Sequence, residues 1–331
     1  MILPLNAGSR SKRAQGEEYT SQAASRVLRA MLCNARQCWE QAIAACAMAE
    51  LNEEELLLCM CHDIITRQRA DGRLCDVENT PTVTDPSLCI APLLRAAEIT
   101  GDCRYTEAVD RNLRYLLREA PRAKDGVLYH IQGTSEVWAD SAAMTPANLV
   151  RMGHREFGLT QMEGILRRLR RTDGLYAHKW NDATNGYLRK AAWSAGNGWI
   201  SVGLAWLILE LDPMDARGRD MLYRFEELTQ TLERYRLPNG LFRNIIDDPD
   251  SFVECEGAAM HAYATALLAE AGRIAPERLN QPREVLATLK NHVDTHGYVR
   301  DCAGSPSFET PGTSTEMQAF FLMLNAVLER A

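Results

Sequence analysis

Five loops along this chain repeat one pattern: a polar residue, a glycine, then an apolar or aromatic run. They read Asp71-Gly72-Arg73-Leu74, Asp125-Gly126-Val127-Leu128-Tyr129, Asp173-Gly174-Leu175-Tyr176, Asn239-Gly240-Leu241-Phe242 and His296-Gly297-Tyr298-Val299. The glycines fall 54, 48, 66 and 57 residues apart, and each interval has room for one helical hairpin and its loop. A repeat of that length restricts the fold to a stack or a ring of helical hairpins.

Apolar residues recur at helical spacing in about twelve segments. These span 19–33, 36–51, 53–69, 86–101, 103–119, 139–153, 155–170, 194–212, 214–236, 255–273, 279–293 and 314–330. The glycine loops follow the third, fifth, seventh, ninth and eleventh of them. Glycine tolerates the left-handed conformation that closes a helix, so each loop is expected to end its helix there. The apolar residues that follow should pack back on one end of the molecule. Twelve helices in six hairpins predict an all-α fold, an (α/α)6 barrel with the even-numbered helices inside. An open solenoid shares the hairpin repeat; the helix count and the long loops on one side favour the closed ring. Residues 19–331 are expected to form this one catalytic domain, after an N-terminal tail over 1–18.

At 331 residues the chain is longer than most single domains, which a toroidal core accommodates. Its net charge of −7 and the lack of a Lys/Arg run argue against nucleic acid as a partner. No stretch is long and apolar enough to span a membrane, so no membrane association is expected. The first residues lack the basic-then-apolar order of a signal peptide. Ten cysteines sit mostly in apolar helical patterns and are expected to be reduced thiols of a cytoplasmic protein. Cys59-Met60-Cys61 is a C-x-C within a helix and has no second ligand pair. Neither a metal nor a cofactor is expected.

The polar and aromatic residues of unusual type fall at the starts of the even-numbered helices. Trp39 and Glu40 open the second, Asp85 the fourth, and Trp138 and Asp140 the sixth. Trp193, Asn197 and Trp199 open the eighth, Glu254, Glu256 and His261 the tenth, and Thr313, Ser314 and Glu316 the twelfth. If these helices form the inner ring, their N-termini face one funnel. Helix N-termini favour anions, and tryptophans offer flat apolar faces for sugar rings. Capping accounts equally well for Asp85, Thr313 and Ser314 taken singly, and core packing for the tryptophans; the clustering is what points to a saccharide site.

The segment Ser135-Glu136-Val137-Trp138-Ala139-Asp140-Ser141-Ala142-Ala143-Met144 resembles the V-W-x-D-x-x-x-M segment of the unsaturated glucuronyl and rhamnogalacturonyl hydrolases, glycoside hydrolase families 88 and 105. Gly174-Leu175-Tyr176-Ala177-His178-Lys179-Trp180 is similar to their G-L-x-x-H-x-W loop, and Trp193-Ser194-Ala195-Gly196-Asn197-Gly198-Trp199 to their W-x-x-G-N-G-W signature. TSTEMQAF, Thr313 to Phe320, resembles their last helix start. The resemblance covers most of the chain, from about Trp39 onward. It implies two catalytic aspartates, Asp140 by its motif and Asp85 by its place opening the fourth helix. It implies substrate contacts from Trp39, Trp138, Met144, His178, Trp193, Asn197 and Trp199. The implied reaction is hydration of the C4=C5 double bond of a 4,5-unsaturated uronic acid at the non-reducing end of a lyase-generated oligosaccharide of pectin or rhamnogalacturonan type. The expected partner is that oligosaccharide, with a homodimer left open.

Two departures stand out. Many family members carry Arg where this chain has Ala195, an Arg that would help hold the uronate carboxylate; Arg189, Lys190 and Arg243 are candidate substitutes, although surface placement is the plainer reading of each. Ser141-Ala142-Ala143 is small, which predicts a wider pocket. Two other functions stay open: a barrel that binds carbohydrate without catalysis, and another barrel sugar enzyme such as an epimerase. Two floor aspartates disfavour the first, and only seven histidines disfavour the second.

Overall fold

A helix that is apolar all round has to be buried on every side, whereas one with a polar face can border solvent. The chain sorts its helices this way. A computed structural model describes residues 22–75, 81–304 and 307–331; the expected tail over 1–18 lies outside them. The α-helices are α1 (Gln22–Asn34), α2 (Cys38–Leu51), α3 (Glu54–Thr66), α4 (Ile90–Thr100), α5 (Cys103–Arg118), α6 (Ser141–Met144), α7 (Pro146–Arg151), α8 (Arg155–Leu169), α9 (Ser194–Glu210), α10 (Ala216–Glu233), α11 (Glu256–Glu270), α12 (Asn280–Lys290) and α13 (Thr315–Arg330). A 3-10 turn, Asp85–Cys89, leads into α4. In α9, 14 of 17 residues are buried, against three of 13 in α3, which separates an inner helix from an outer one.

The inner elements α2, α4 with the 3-10 turn before it, α6 with α7, α9, α11 and α13 pack each on the next, the 3-10 turn bridging α4 to α6, and α13 returns to α2. This closes the ring and makes the fold an (α/α)6 barrel rather than a solenoid. One contiguous core runs from Ala24 to Val327. The expected sixth helix is broken between α6 and α7, where Pro146 has no N–H for a continuing helix ladder. Inner helices approach closely: a Cβ on Gly257 of α11 would meet the Ser194 backbone oxygen of α9 at 2.5 Å. All ten cysteines are free thiols. Among the described residues no helix is long and apolar enough to cross a membrane.

The repeated glycines all have positive φ, from 84° at Gly240 to 100° at Gly72. Their role differs from the expected one. None caps a helix; each lies several residues beyond its helix end, at the tip of a small hairpin. The glycine N–H donates to the carbonyl three residues before it, as from Gly126 to Ala123 and from Gly174 to Arg171. The next pairing closes around it, as from Ala123 N–H to Val127 O and from Arg171 N–H to Leu175 O. This is a turn followed by a left-handed glycine, a common hairpin connection. The following apolar residues Leu74, Val127, Leu175, Leu241 and Val299 are fully buried, as expected.

Every connection from an outer to the next inner helix therefore runs over the same end of the barrel. Short antiparallel sheets form there: β1 (Glu136–Trp138), β2 (Lys179–Asn181) and β3 (Gly186–Arg189) in one, β4 (Phe242–Arg243) with β5 (Val253–Glu254), and β6 (Cys302–Ala303) with β7 (Pro311–Gly312).

Candidate active site

Two of the glycine hairpins place a histidine four residues after the glycine: His130 after Gly126, and His178 after Gly174. Equivalent hairpins put equivalent side chains at one end of the barrel, and each histidine reaches an aspartate. His130 Nε2 lies 3.7 Å from Asp85 Oδ1, and His178 Nε2 lies 3.7 Å from Asp140 Oδ2. Asp85 opens the 3-10 turn into α4, and Asp140 immediately precedes α6. His130 Nδ1 is held at 2.7 Å from Thr84 Oγ1 and 3.0 Å from Ser141 Oγ. His178 immediately precedes β2, and its backbone oxygen accepts the Ala139 N–H at 3.0 Å, which ties the two halves of the site together.

Between the two pairs stands Trp138. His130 stacks on it at 4.3 Å between ring centroids, His178 meets its edge at 5.8 Å, Trp193 follows His178 at 4.6 Å and Phe308 meets Trp193 at 6.4 Å. The Trp138 and Trp193 indoles are fixed by hydrogen bonds from their Nε1 to Glu136 and Asn244. Asn244 occupies the same place after Gly240 as the histidines after theirs. The result is a continuous aromatic wall with a carboxyl behind each imidazole.

Burial sets the protonation states. It pushes the Asp140 carboxyl up to about 6, against a backbone hydrogen bond and the nearby Lys179 charge. Asp140 Oδ2 accepts no hydrogen bond to stabilise its anion. Burial, aided by Lys179, lowers His130 to about 3 and His178 well below its ordinary value, so both imidazoles are neutral. With 18% of its side chain exposed against 5% for Asp85, Asp140 is the more accessible of the two carboxyls.

On the opposite side of the floor, α11 and α13 begin with buried acids. Burial raises Glu254 and Glu316 to about 7, and burial with the charges of Glu316 and Glu254 raises Glu256 well above its ordinary value. Glu254 accepts the N–H groups of Glu256 and Gly257 at 2.7 and 3.0 Å, and Glu256 accepts the Ser314 hydroxyl at 2.8 Å. Trp39 sits beside Glu316. A carboxyl whose folded pKa is raised contributes stability that is complete below its unfolded value and is lost as pH rises through its folded value. Glu256→Gln keeps an acceptor for Ser314 and has no proton to lose. Its Tm is expected to match that of the parent near pH 5 and to exceed it progressively toward pH 8. Equal melting curves at pH 8 would show that Glu256 carries no such strain.

The model of Glycosyl Hydrolase Family 88 matches residues 10–329. The chain belongs to glycosyl hydrolase family 88. Over 197 residues this family 88 chain is 30% identical to the unsaturated rhamnogalacturonyl hydrolase YesR of Bacillus subtilis, a match covering 53% of the chain and 55% of that protein. The chain thus aligns with about half the length of this curated relative. A possible member of family 105 from Salmonella enterica serovar Paratyphi A has a similar structure, with a TM-score of 0.81 at 16% identity over 96% of both chains. An unsaturated glucuronyl hydrolase from Streptococcus agalactiae has a TM-score of 0.68 at 12% identity over 93% of this chain and 90% of that one. At such identities the likeness is one of fold.

Within the family 88 barrel, the residues expected from sequence divide into two groups. Asp85, Asp140, Trp138, His178 and Trp193 come together, and Trp39 stands by Glu316. Met144 and Trp199 do not join them. Met144 is buried in the core, and Trp199 packs edge-on against Phe320 at 5.3 Å between α9 and α13. Asn197 is a latch: its Oδ1 accepts the Tyr176 N–H, and its Nδ2 donates to the Tyr176 and Trp193 carbonyls, all within 3.0 Å. Its amide is spent on holding the hairpin segment that leads to His178. His261, expected at the funnel, faces outward and stacks on Phe225 of α10. The sequence reading passed over His130 and Lys179; the match of Gly126-to-His130 with Gly174-to-His178 is the signal that would have found the first. Among the described residues no three His, Cys, Asp or Glu side chains are grouped to hold a metal ion.

Proposed function

We propose that this chain releases a 4,5-unsaturated uronic acid from the non-reducing end of lyase-generated oligosaccharides, with pectin or rhamnogalacturonan fragments as the preferred class. The observation that carries the reading is Asp140: a carboxyl raised to about 6, more accessible than that of Asp85, on an aromatic wall and beside a neutral imidazole. The names of the rhamnogalacturonyl and glucuronyl relatives support the substrate class.

In this mechanism Asp140 gives its proton to C4 of the enol ether, and the developing positive charge spreads over C5 and the ring oxygen. Water adds its oxygen to C5 and returns a proton to the Asp140 carboxylate. The resulting hemiketal opens by breaking the bond between C5 and the ring oxygen, which leaves a ketone at C5 and a hemiacetal at C1. Collapse of that hemiacetal releases the next sugar, so one water is consumed and the glycosidic bond is lost. Neutral His178 orients the Asp140 carboxyl. Trp193 gives the ring an apolar face, Trp138 is held between the His130 ring and the Lys179 ammonium, and Asp85 with His130 completes the floor. Proton transfer from a positioned acid whose pKa lies near the working pH is an efficient form of general acid catalysis.

The test is the loss of absorbance of the conjugated C4=C5 bond when the protein meets a panel of lyase-generated pectin, rhamnogalacturonan and glycosaminoglycan oligosaccharides. Turnover of the pectin-type members is expected. A folded protein inert on the whole panel would refute the reading.

A further inference from the structure

The family's arginine is absent at position 195, and the structure shows why no longer side chain at that position takes its place unaided: Ala195 is fully buried in a small apolar cluster with Trp193 and Ala303. A substrate carboxylate still needs a cation. In a 4,5-unsaturated uronate the carboxylate carbon is bonded to C5, next to the atom that is protonated. A cation that holds it has to stand beside the acid, here Asp140.

The three-stranded sheet puts two cations there. Trp138 of β1 is paired directly with Lys179 of β2, and Lys179 with Arg189 of β3. Directly opposed residues of neighbouring strands project from the same face, so Trp138, Lys179 and Arg189 form one row leading away from Asp140. The Lys179 ammonium lies 3.3 Å from the centroid of the Trp138 ring. Trp138 is itself two residues from Asp140 and stacked on His130. Arg189 is already held by Glu309, at 2.8 Å. Arg243 donates to the Ser251 carbonyl at 2.7 Å, and Lys190 is exposed beyond the row, over Tyr187. Lys179 forms no ion pair among the described residues and is half-buried, with Asp140 and Glu136 acting on it through space. A half-buried ammonium without a carboxylate, resting on the sugar-binding wall, is a ready anion site.

We propose that Lys179 is the specificity residue of this site, binding the C5 carboxylate of the unsaturated uronate in place of the missing arginine, with Arg189 flanking it. This rests on the reaction proposed above and adds which group recognises its acidic substrate. Lys179 occupies the open position of the G-L-x-x-H-x-W loop, so the same hairpin supplies the imidazole beside the acid and the cation for the substrate.

The experiment compares the parent, Lys179→Met and Lys179→Arg on an unsaturated galacturonate-ended disaccharide and on its methyl ester, with Tm as the folding control. A charge-assisted contact of this kind is expected to be worth roughly 10–100-fold in kcat/KM. Lys179→Met should lose that factor on the free acid, mainly through KM, and Lys179→Arg should restore most of it. The parent should lose a similar factor on the ester, where Lys179→Met should cost little more. If the parent turns over the acid and Lys179→Met matches it, or loses equally on acid and ester, Lys179 does not bind the carboxylate while the reaction stands. If the parent is inert on every unsaturated uronide, the reaction itself is misread and the carboxylate site falls with it.

Discussion

Asp140→Asn is expected to lower turnover of an unsaturated uronide by roughly 10²–10⁴-fold, the range typical for loss of a general acid. Asparagine keeps the size of the side chain and its place before α6 but has no transferable proton. The Tm should be unchanged or slightly raised, because an ionisable group is removed from a site where burial opposes its charge. Substrate binding, measured by quenching of the wall tryptophans, should persist. The parent should show the pH dependence of this acid: kcat falls as pH rises through about 6, where Asp140 loses its proton. Asp85→Asn should also impair turnover, with a larger share of the effect in KM, since Asp85 stands behind His130 and has little exposed surface. An Asp140→Asn variant that turns over like the parent would remove Asp140 from the role of acid.

Asn197→Leu should destabilise the whole barrel. The substitution strips the partner from both the Tyr176 N–H and the Tyr176 carbonyl, in a buried place, while the Trp193 carbonyl keeps the Asn197 backbone N–H. Each buried polar group left unsatisfied costs about 1–3 kcal/mol, so a loss of roughly 2–6 kcal/mol is expected. This appears as a Tm lower by several degrees and a lower denaturant midpoint. Activity should fall along with it, because the hairpin segment held at Tyr176 carries His178 two residues on. A variant with unchanged Tm and a raised KM would instead make Asn197 a direct contact for the sugar, as the sequence motif alone suggested.

The latch also shows where reading the sequence stops. In the W-x-x-G-N-G-W stretch, Trp193, Ala195, Asn197 and Trp199 are all plausible site residues by type. Successive residues of a helix turn by about 100°, so four positions over two turns point in quite different directions. Trp193 faces His178, Ala195 faces Ala303, Asn197 faces the neighbouring hairpin and Trp199 faces Phe320. Which direction is the funnel depends on where α11 and α13 lie, and the segment does not contain that information.

By itself the sequence determined the helical hairpins and their number. Hydrophobic period sets helix against loop, and the spacing of the glycines counts the hairpins. The polar residues gathered before the inner helices mark the end of the barrel that is built for chemistry. These are local properties, carried by residues a few positions apart, and they survive without knowledge of the partners. The tertiary structure alone decided the rest. It turned the glycines from helix caps into hairpin tips, because the chain needs several residues to cross from the outer ring to the inner one. It paired His130 with Asp85 and His178 with Asp140 across 45 and 38 residues of chain. It laid Lys179 over Trp138 through the register of two strands that belong to different hairpins. It also withdrew Asp140 from water, which is what moves its proton affinity toward neutrality. Burial and register arise only when distant segments meet, so no window along the chain could carry them.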